Sequence, residues 1–381
     1  MNVLIIHNRY REAGGEERSV SAITRLLRGH GHAVEVLERS SAKTGRARAG
    51  AALLAGGLEP GEVERAVHAH RADVVHAHNI HPLFGARALA AARGGGARVV
   101  MHLHNYRMVC AIAIDYRDGA VCTRCRGRNT LPGVRLRCRG GVGEAVAYGA
   151  GLARQQRRTI RAVDQFVTPS AFAARRLADQ ALGDAPLAVL HNFVTEEEFV
   201  AAPPAGRGSH ALFAGRLVEE KGADTAILAS AASGVPLAIA GSGPDQARLE
   251  RLAAEHDAPV TFLRRVPPEQ MGVVRSQAAF LLAPSRWDEP CPYTVIEAMA
   301  AGLPVLASQR GGLPEMVGDE HVLPDRDVDR WASAMRALWA DDAERTRRAE
   351  HALARARELF GEARFYSALM DFYEGRRQSS A

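Results

Sequence analysis

The sequence lacks an apolar run of the roughly 18 residues needed to cross a bilayer. Aromatic residues make up only 6% of the 381 residues, and no basic stretch is interleaved with them. A nucleic-acid-binding surface is therefore not expected, although the net charge is +6. No basic segment precedes the first apolar stretch, Val3–Ile6, as it would in a signal peptide. We expect a cytoplasmic protein, with a peripheral contact to the inner membrane face kept as an alternative.

The Gly-x-Gly-x-x-Gly fingerprint that follows a strand in dinucleotide-binding proteins is also absent, which argues against a dehydrogenase. Short apolar strands instead alternate with helices, a pattern typical of a parallel sheet covered on both faces. The pattern runs over residues 1–190 and again over 191–358, after which a helix is predicted within 359–381. A chain of this length can hold two α/β domains with separate cores, and a linker is predicted at 196–208.

Two glutamates, Glu289 and Glu297, flank the start of a short apolar helix that Gly302 ends. Backbone N–H groups at a helix start form a ready site for phosphate. Pro292 has no N–H and suits the first helical position, so the donors are expected from the residues after it. One carboxylate could bind ribose hydroxyls and the other a sugar. The residues expected around the phosphates are Cys291, Pro292, Tyr293, Thr294 and Val295.

Further polar and glycine-rich loops follow other strands of the second half. Arg216 and Lys221 could neutralise a diphosphate, because both are cations placed just after a strand. Gly241 and Gly243 would let the backbone approach a base or ribose closely, and Val266 would border the base. Solvated surface charges and a plain turn are the alternatives at these positions. The donor contacts predicted here are Gly215, Arg216, Lys221, Gly241, Gly243 and Val266.

The strands of the first half also end in polar residues. Gly14 and Gly15 follow the first strand and precede a helix, whose start the next two glutamates could stabilise. Two His-x-His pairs, ending at His78 and His104, lie where parallel strands end and ligands bind. A zinc ion bound by these pairs is an alternative that no carboxylate spacing supports. The residues predicted on the acceptor side are His78, Asn105, Tyr106 and Asn192.

Four of the five cysteines fall in a loop-like stretch at about 106–140. Cys110 and Cys138 lie on either side of a Cys122-x2-Cys125 pair, a spacing that fits a structural zinc site with four thiolate ligands. A metal ion would explain how a segment with little to bury becomes ordered. Reduced thiols, or a disulfide, are the alternatives.

Glu-x7-Glu, followed from Ala298 by Ala-Met-Ala-x-Gly-x-Pro-Val, resembles the donor motif of family 4 glycosyltransferases. The stretch from Gly215 to Gly222 is similar to the Gly-Arg-Leu-x-x-x-Lys-Gly of that family, and Gly14-Gly15 resembles its glycine loop. The resemblance implies a GT-B fold, in which two Rossmann-like domains face across a cleft. It also implies that the last helix crosses back to the first domain. Similar cysteine-bearing insertions occur in a subset of the family.

The resemblance implies a retaining transfer of a sugar from a nucleotide diphosphate to an acceptor hydroxyl, with no metal required. Glu289 and His104 would contact the sugar, Arg216 and Lys221 the phosphates, and Glu297 the ribose. Glu315 would fix the donor-binding loop. Two departures are present: Cys291-Pro292 replaces the common Phe-Gly, and Asn192 lies between His191 and Phe193 where Pro and Gly are usual.

The resemblance favours a UDP- or GDP-sugar donor and an acceptor in polysaccharide, glycolipid or lipid-linked glycan assembly. A small natural-product acceptor is the alternative. A nucleotide-sugar epimerase would need paired acid and base groups at the sugar. A non-catalytic nucleotide-sugar binding protein would be expected to have lost Arg216, Lys221 or Glu297, and all three are present.

Overall fold

A computed structural model describes residues 1–10, 14–201 and 208–376, except the side chain of Lys43. It contains fourteen strands in these residues. They are β1 Asn2–Arg9, β2 Ala33–Ser40, β3 Val74–Ala77, β4 Arg98–His102, β5 Tyr116–Arg117, β6 Ala120–Val121, β7 Gln165–Thr168, β8 Leu187–Val189, β9 His210–Ala214, β10 Leu237–Ala240, β11 Val260–Arg264, β12 Ala278–Ala283, β13 Val305–Ser308 and β14 Val322–Leu323.

Fifteen α-helices accompany the strands in the same described residues. They are α1 Gly15–Gly29, α2 Arg46–Ala55, α3 Pro60–His70, α4 Gly85–Gly94, α5 Leu131–Arg135, α6 Val142–Ala162, α7 Ala171–Leu177, α8 Ala223–Ser233, α9 Gln246–Glu255, α10 Met271–Ser276, α11 Tyr293–Ala300, α12 Leu313–Val317, α13 Val328–Ala340, α14 Asp342–Phe360 and α15 Glu362–Glu374. No helix among them is long and apolar enough to cross a membrane.

The chain forms two compact units, each with a six-stranded parallel sheet. The first sheet has the order β2-β1-β3-β4-β7-β8 and the second β11-β10-β9-β12-β13-β14. Their central strands are buried on both faces, as parallel strands between helix layers must be. Val3 to Ile6 of β1 are completely inaccessible, and Phe280 in β12 is too. The prediction of two Rossmann-like α/β domains is confirmed.

The first unit comprises residues 1–115 and 122–191 together with those from Phe365 onward, and the second 116–121 and 192–364. These limits differ from the predicted 1–190, 191–358 and 359–381 mainly in one place. The small β5-β6 hairpin, inside the cysteine-bearing segment, groups with the second unit. Its Tyr116 hydroxyl lies 3.1 Å from the Glu219 carboxylate. Residues 202–207 of the predicted linker lie outside the described residues.

Helix α15 is anchored in the first unit by its aromatic side chains. Tyr366 stacks on His30 with a centroid distance of 3.7 Å, and its hydroxyl lies 2.8 Å from His32 Nε2. Arg98 Nε donates to the carbonyl of Phe372 at 2.8 Å. Tyr373 is buried, with its hydroxyl against His76 in the sheet.

Candidate active site

Glu289 is a buried carboxylate of the second unit with two close side-chain partners. It lies in the loop after β12, where only 4% of the residue is exposed. Lys221 Nζ lies 2.5 Å from its Oε1, and the Ser285 hydroxyl donates to the same oxygen at 2.7 Å. The Lys221 ammonium also lies 5.4 Å from the centre of the Trp287 ring. A buried charge persists only when it is paired and hydrogen-bonded, and both conditions are met here.

The backbone at Glu289 is fixed by the loop after β13. Gly312 N–H donates to the Glu289 carbonyl at 2.7 Å. Gly311 has a φ of 59°, and a Cβ there would lie 2.3 Å from the same carbonyl oxygen. Only glycine allows both this conformation and this approach. The Gly311-Gly312 step therefore fixes the backbone that presents Glu289.

Helix α11 begins at Tyr293, with Pro292 as the residue before its first turn. Val295 N–H donates to the Pro292 carbonyl at 3.1 Å. The structure thus differs from the prediction in two respects. Pro292 is the N-cap residue rather than the first helical residue, and the Val295 N–H bonds within the helix rather than pointing to a ligand. Gly302 ends the helix as predicted, with a φ of 68°.

Glu297 lies in the second turn of α11 and is 8% exposed. Arg275, from the short helix α10, donates to its Oε2 at 2.7 Å. This partner could not be predicted from the sequence, because Arg275 belongs to no recognisable motif. The pair fixes the orientation of a carboxylate that has about four lone-pair sites and can accept further hydrogen bonds.

Asn192 was predicted on the acceptor side, but it lies in the second unit and acts on the loop before α11. Its Nδ2 donates to the Cys291 carbonyl at 2.8 Å, and the residue is 5% exposed. Burial raises the pKa of the Cys291 thiol to about 12, so this cysteine is neutral. The charge of Glu315 contributes to that rise, which places Glu315 near the same loop. Asn192 therefore holds the loop that carries Cys291 and Pro292.

The glycines after β10 allow the backbone of a neighbouring loop to approach closely. A Cβ on Gly241 would lie 1.8 Å from the Gly215 carbonyl oxygen, and one on Gly243 2.3 Å from that of Leu217. The close approach is thus between two backbone segments, whereas the sequence suggested an approach to a nucleotide. Arg216 lies between Gly215 and Leu217 in the chain. Its side chain is 63% exposed, and its guanidinium lies 3.9 Å from the Glu220 carboxylate. Val266 packs against the apolar core of the unit.

In the first unit, Gly14 and Gly15 start α1, and Glu17 caps the helix. Its carboxylate accepts from the Gly14 N–H at 2.8 Å and from the Tyr10 N–H at 2.9 Å. Burial alone would raise the pKa of Glu17, but the His7 ring and these two N–H groups lower it to about 2. For the adjacent Glu16, burial is the dominant effect and raises the pKa to about 7, although the His7 ring and a hydrogen bond with Tyr10 act to lower it.

The histidines at the ends of β1, β3 and β4 form one buried cluster, which consists of His7, His76, His78, His102 and His104. His78 Nδ1 lies 2.9 Å from His104 Nε2, and the rings of His102 and His104 stack at 4.0 Å. Burial and the neighbouring rings lower the pKa of His104 to about 3, so it is neutral at pH 7. His78 is 1% exposed and therefore supports His104, rather than facing an acceptor as predicted.

The other two residues predicted on the acceptor side behave differently from each other. Tyr106 is 0% exposed, and its backbone N–H and carbonyl are hydrogen-bonded to Ala113 and Cys110. It belongs to the core, contrary to the prediction. Asn105 is partly exposed, and its Nδ2 lies 3.3 Å from the Tyr10 hydroxyl and 3.4 Å from Glu16 Oε2.

A cavity of about 830 Å³ opens in the first unit beside these residues. Its wall carries cations on aromatic rings: Arg139 lies 4.2 Å from the Tyr148 ring centre and Arg107 5.6 Å from that of Tyr10. Arg139 also pairs with Glu144 at 2.8 Å. The cavity is large enough for a drug-sized or disaccharide-sized ligand. Six of its lining residues are Tyr10, Arg46, His81, Arg107, Arg139 and Tyr148.

Within the described residues, two groups of three side chains bring their metal-binding atoms within 4.8 Å of one another. One is His76, His78 and His102, and the other is the more exposed Glu320, His321 and His351. The four cysteines form no such group in this part of the chain and are free thiols. Cys110 is partly buried, and desolvation raises its pKa to about 12, whereas Cys125 lies close enough to Cys122 and Cys138 for their charges to interact.

Comparison with known protein families agrees with this architecture. Residues 13–198 match the model described as Glycosyltransferase Family 4, and residues 194–355 match that of Glycosyl transferases group 1. The first half of the chain is thus similar to one glycosyltransferase family and the second half to another. The two models together cover most of the chain, and their boundary falls where the second unit begins.

Solved structures superimpose over nearly the whole chain. Sucrose-phosphate synthase from Thermosynechococcus elongatus gives a TM-score of 0.70 at 18% identity, with 98% of each chain covered. HepE from Anabaena, in complex with UDP, gives 0.67 at 18% identity and covers 98% of this chain and 100% of that one. At this identity the likeness establishes the GT-B fold.

A curated relative is the GDP-mannose-dependent alpha-(1-6)-phosphatidylinositol monomannoside mannosyltransferase of Mycolicibacterium smegmatis. It is 36% identical over 145 residues, which are 33% of this chain and 37% of that protein. Spore coat protein SA of Bacillus subtilis is 29% identical over 133 residues, 34% of this chain and 35% of that protein. The chain thus spans little more than a third of either relative.

Proposed function

We propose that the protein is a retaining glycosyltransferase that moves a sugar from a UDP- or GDP-sugar to an acceptor hydroxyl. The observation that carries this proposal is the buried Glu289 carboxylate, held by Lys221 at 2.5 Å and by Ser285 at 2.7 Å. Such a carboxylate is oriented before any ligand arrives, so it stabilises positive character on a sugar ring without reorganisation. UDP is the ligand in the related HepE structure.

The roles proposed for the other residues follow from their surroundings. Lys221 is 21% exposed and Arg216 63%, so both can meet a diphosphate, and Arg216 can move to it without breaking a close contact. Glu297, oriented by Arg275, accepts from the ribose hydroxyls. His104 contacts the sugar as a neutral imidazole. The acceptor proton passes to the leaving phosphate on the same face, which gives retention and requires no metal ion.

A thermal-shift panel of UDP, GDP, ADP and dTDP tests the donor site. A nucleotide at about 100 times its dissociation constant should stabilise the wild type by about 2.7 kcal/mol. Glu297→Ala should lose that shift, whereas Glu255→Ala, which removes an exposed carboxylate of α9, should keep it. If no nucleotide at millimolar concentration shifts the wild type, the donor-site assignment fails. If UDP binds but no UDP-sugar is turned over with any acceptor, the non-catalytic alternative replaces the transferase.

We assign the 830 Å³ cavity of the first unit to the acceptor. Its arginines, set against Tyr148 and Tyr10, suit a glycan or a phosphate-bearing acceptor, since guanidinium groups bind phosphate and aromatic rings stack on sugars. Polysaccharide or lipid-linked glycan assembly is the role this favours, with a small natural product as the alternative. Arg139→Gln should raise the acceptor KM while donor hydrolysis stays unchanged. An unchanged acceptor KM would remove the cavity from the proposal.

A peripheral membrane contact would suit a lipid-linked acceptor. Val142 is 56% exposed, Val146 47% and Leu54 42%, all on the two packed helices α2 and α6. Arg46 and Arg48 lie on the same helix as Leu54. Sedimentation with anionic vesicles tests the contact: Val142→Glu with Val146→Glu should abolish it if these residues insert. Equal sedimentation of the double variant and the wild type would contradict it.

Structural zinc at the four cysteines stays a prediction. Cys122, Cys125 and Cys138 lie near one another, but Cys110 would have to lose its proton from a partly buried position. Metal analysis of the purified protein beside a Cys122→Ser variant decides between bound zinc and free thiols.

A further inference from the structure

Three buried imidazoles meet at the carboxyl ends of two adjacent strands. His76 lies in β3, His78 follows that strand directly, and His102 ends β4, which pairs with β3 in parallel. Their exposed fractions are 0%, 1% and 1%. One ring nitrogen from each lies within 4.8 Å of the others. Two strands with histidines on the same face therefore bring three ligand atoms to one point.

Four ring nitrogens of these three histidines have no hydrogen-bond partner in the part of the chain that the structure describes. They are His76 Nε2, His78 Nε2 and both nitrogens of His102. A buried polar atom without a partner costs free energy, and such atoms in folded proteins usually meet an ion, a water or another polar group. Several in one place indicate that the cluster holds something.

The remaining nitrogens are engaged outward. His76 Nδ1 lies 2.7 Å from the Tyr373 hydroxyl, and His78 Nδ1 lies 2.9 Å from His104 Nε2. This is the arrangement of metal-binding histidines, in which one nitrogen binds the ion and the other donates its proton to an outer partner. Two of the three rings, His76 and His78, thus use Nδ1 for an outer contact and keep an unpartnered Nε2 among the described residues.

Space for a water exists beside two of the three rings. A cavity of about 20 Å³ is lined by His78, His102 and His104. A volume of roughly 10–15 Å³ holds one water. Three protein ligands leave a fourth position in a tetrahedral site, and water in this cavity would fill it.

We propose that His76, His78 and His102 bind one divalent transition-metal ion of the zinc class. Neutral imidazoles suit Zn²⁺, Co²⁺, Ni²⁺ and Cu²⁺, whereas Mg²⁺ and Ca²⁺ need oxygen ligands that these three residues do not supply. The ion sets the tautomers of its ligands. His78 Nδ1–H then donates to His104 Nε2, so His104 carries its own proton on Nδ1. The site stands independently of sugar transfer.

The test is a Co²⁺ titration of the full-length protein after removal of metal with a chelator, followed by visible absorption. One equivalent should bind with the absorption of a nitrogen-coordinated ion. Co²⁺ on cysteine thiolates would instead add strong charge-transfer bands, so the cysteine segment is told apart by the same spectrum. His102→Ala should lose the nitrogen-coordinated equivalent. His351→Ala, in the exposed group, should keep it.

A milder variant guards against misfolding of His102→Ala. Tyr373→Phe removes only the outer partner of His76, and loss of such a partner weakens metal binding by about 10- to 100-fold. The expected result is one equivalent of Co²⁺ with the same spectrum and an affinity lower by that factor. The proposal is overturned if the wild type shows no nitrogen-coordinated Co²⁺. It is also overturned if Tyr373→Phe binds Co²⁺ as tightly as the wild type.

Discussion

In the second unit, the buried carboxylates of the candidate site are paired with cations. In the first unit, uncharged imidazoles lie at the ends of the strands instead. Lys221 neutralises Glu289, and Arg275 neutralises Glu297. In the first unit, His78 and His104 contact each other at 2.9 Å and stay neutral. Both arrangements occur where parallel strands end, so the same sheet architecture supports two different kinds of polar site.

This difference predicts how the stability of each site changes when one side chain is removed. In a charge pair, the deletion of one partner leaves a buried charge, which is costly. In a cluster of neutral rings, the deletion of one member leaves only a small void or an unmet hydrogen bond. The loss of stability on removing a single charge should therefore differ between the two units more clearly than the loss caused by apolar substitutions.

The largest effect is expected for Lys221→Met. It leaves Glu289 buried without its cation, and breaking a buried pair costs about 3–5 kcal/mol. Thermal unfolding should show a large loss for this variant, and sugar transfer should be abolished. The double variant with Glu289→Gln should recover most of the stability but none of the activity. If the double variant is no more stable than Lys221→Met, the Lys221–Glu289 pair does not determine the stability of the second unit.

Glu17→Gln should be the charge substitution with the largest effect in the first unit. The carboxylate pKa of about 2 lies below the ordinary 4.5, so its stabilisation is complete above pH 4.5 and is lost as the pH falls towards 2. The shift corresponds to about 3 kcal/mol at pH 7, since one pKa unit is about 1.4 kcal/mol.

Unfolding of Glu17→Gln and wild type should therefore be compared at pH 7 and at pH 3. The difference in the free energy of unfolding between the two proteins should be smaller at pH 3 than at pH 7. A gap that is the same at both pH values would show that Glu17 acts without its charge.

Gly241→Ala tests packing between two loops of the second unit without altering any charge. Its Cβ would lie 1.8 Å from the Gly215 carbonyl oxygen, so the loops must separate, at a cost of about 1–3 kcal/mol. Gly215→Ala is the matched control, because its Cβ would meet only the Phe213 ring, at 3.8 Å. The melting temperature should fall for the first variant and change little for the second. Equal melting temperatures would mean that the loops move apart freely.

The smallest effect on stability is expected for Arg216→Ala, because this side chain is 63% exposed. Surface substitutions usually stay within about 0.5 kcal/mol. Nucleotide affinity should nevertheless fall about tenfold or more, since a hydrogen bond to a charged group is worth about 1.5–3 kcal/mol. Calorimetric titration with the nucleotide that the thermal panel selects provides the measurement. Unchanged affinity would exclude Arg216 from the phosphate site.

The sequence predicted the parallel strands well, because buried strands are short, apolar and bounded by polar loops. The first apolar stretch, Val3–Ile6, lies inside β1. The helix that begins at Ala171 changes to a π-helix after Leu177, which the apolar pattern does not reveal. Helices α2 and α6 were not identified, since α2 is rich in alanine and glycine and its apolar stripe is weak.

The candidate donor residues were also predicted largely from the sequence, but their partners were not. Lys221 and Glu289 are far apart in the chain, and only the order β9-β12 in the sheet places their loops side by side. Arg275 carries no motif at all. Tyr106 looked like a site residue because it follows a strand, yet it is completely buried. Such outcomes depend on tertiary contacts that local patterns do not encode.

The position of Tyr373 against His76 has a consequence for the order in which the protein is made. A ribosome synthesises β1, β3 and β4 early, but it adds α15 only after the whole second unit. Until then, His76 lacks its tyrosine partner, and the surface at His30 and Arg98 stays uncovered. The first unit is therefore begun first and completed last, with the second unit translated as an insertion between its two parts.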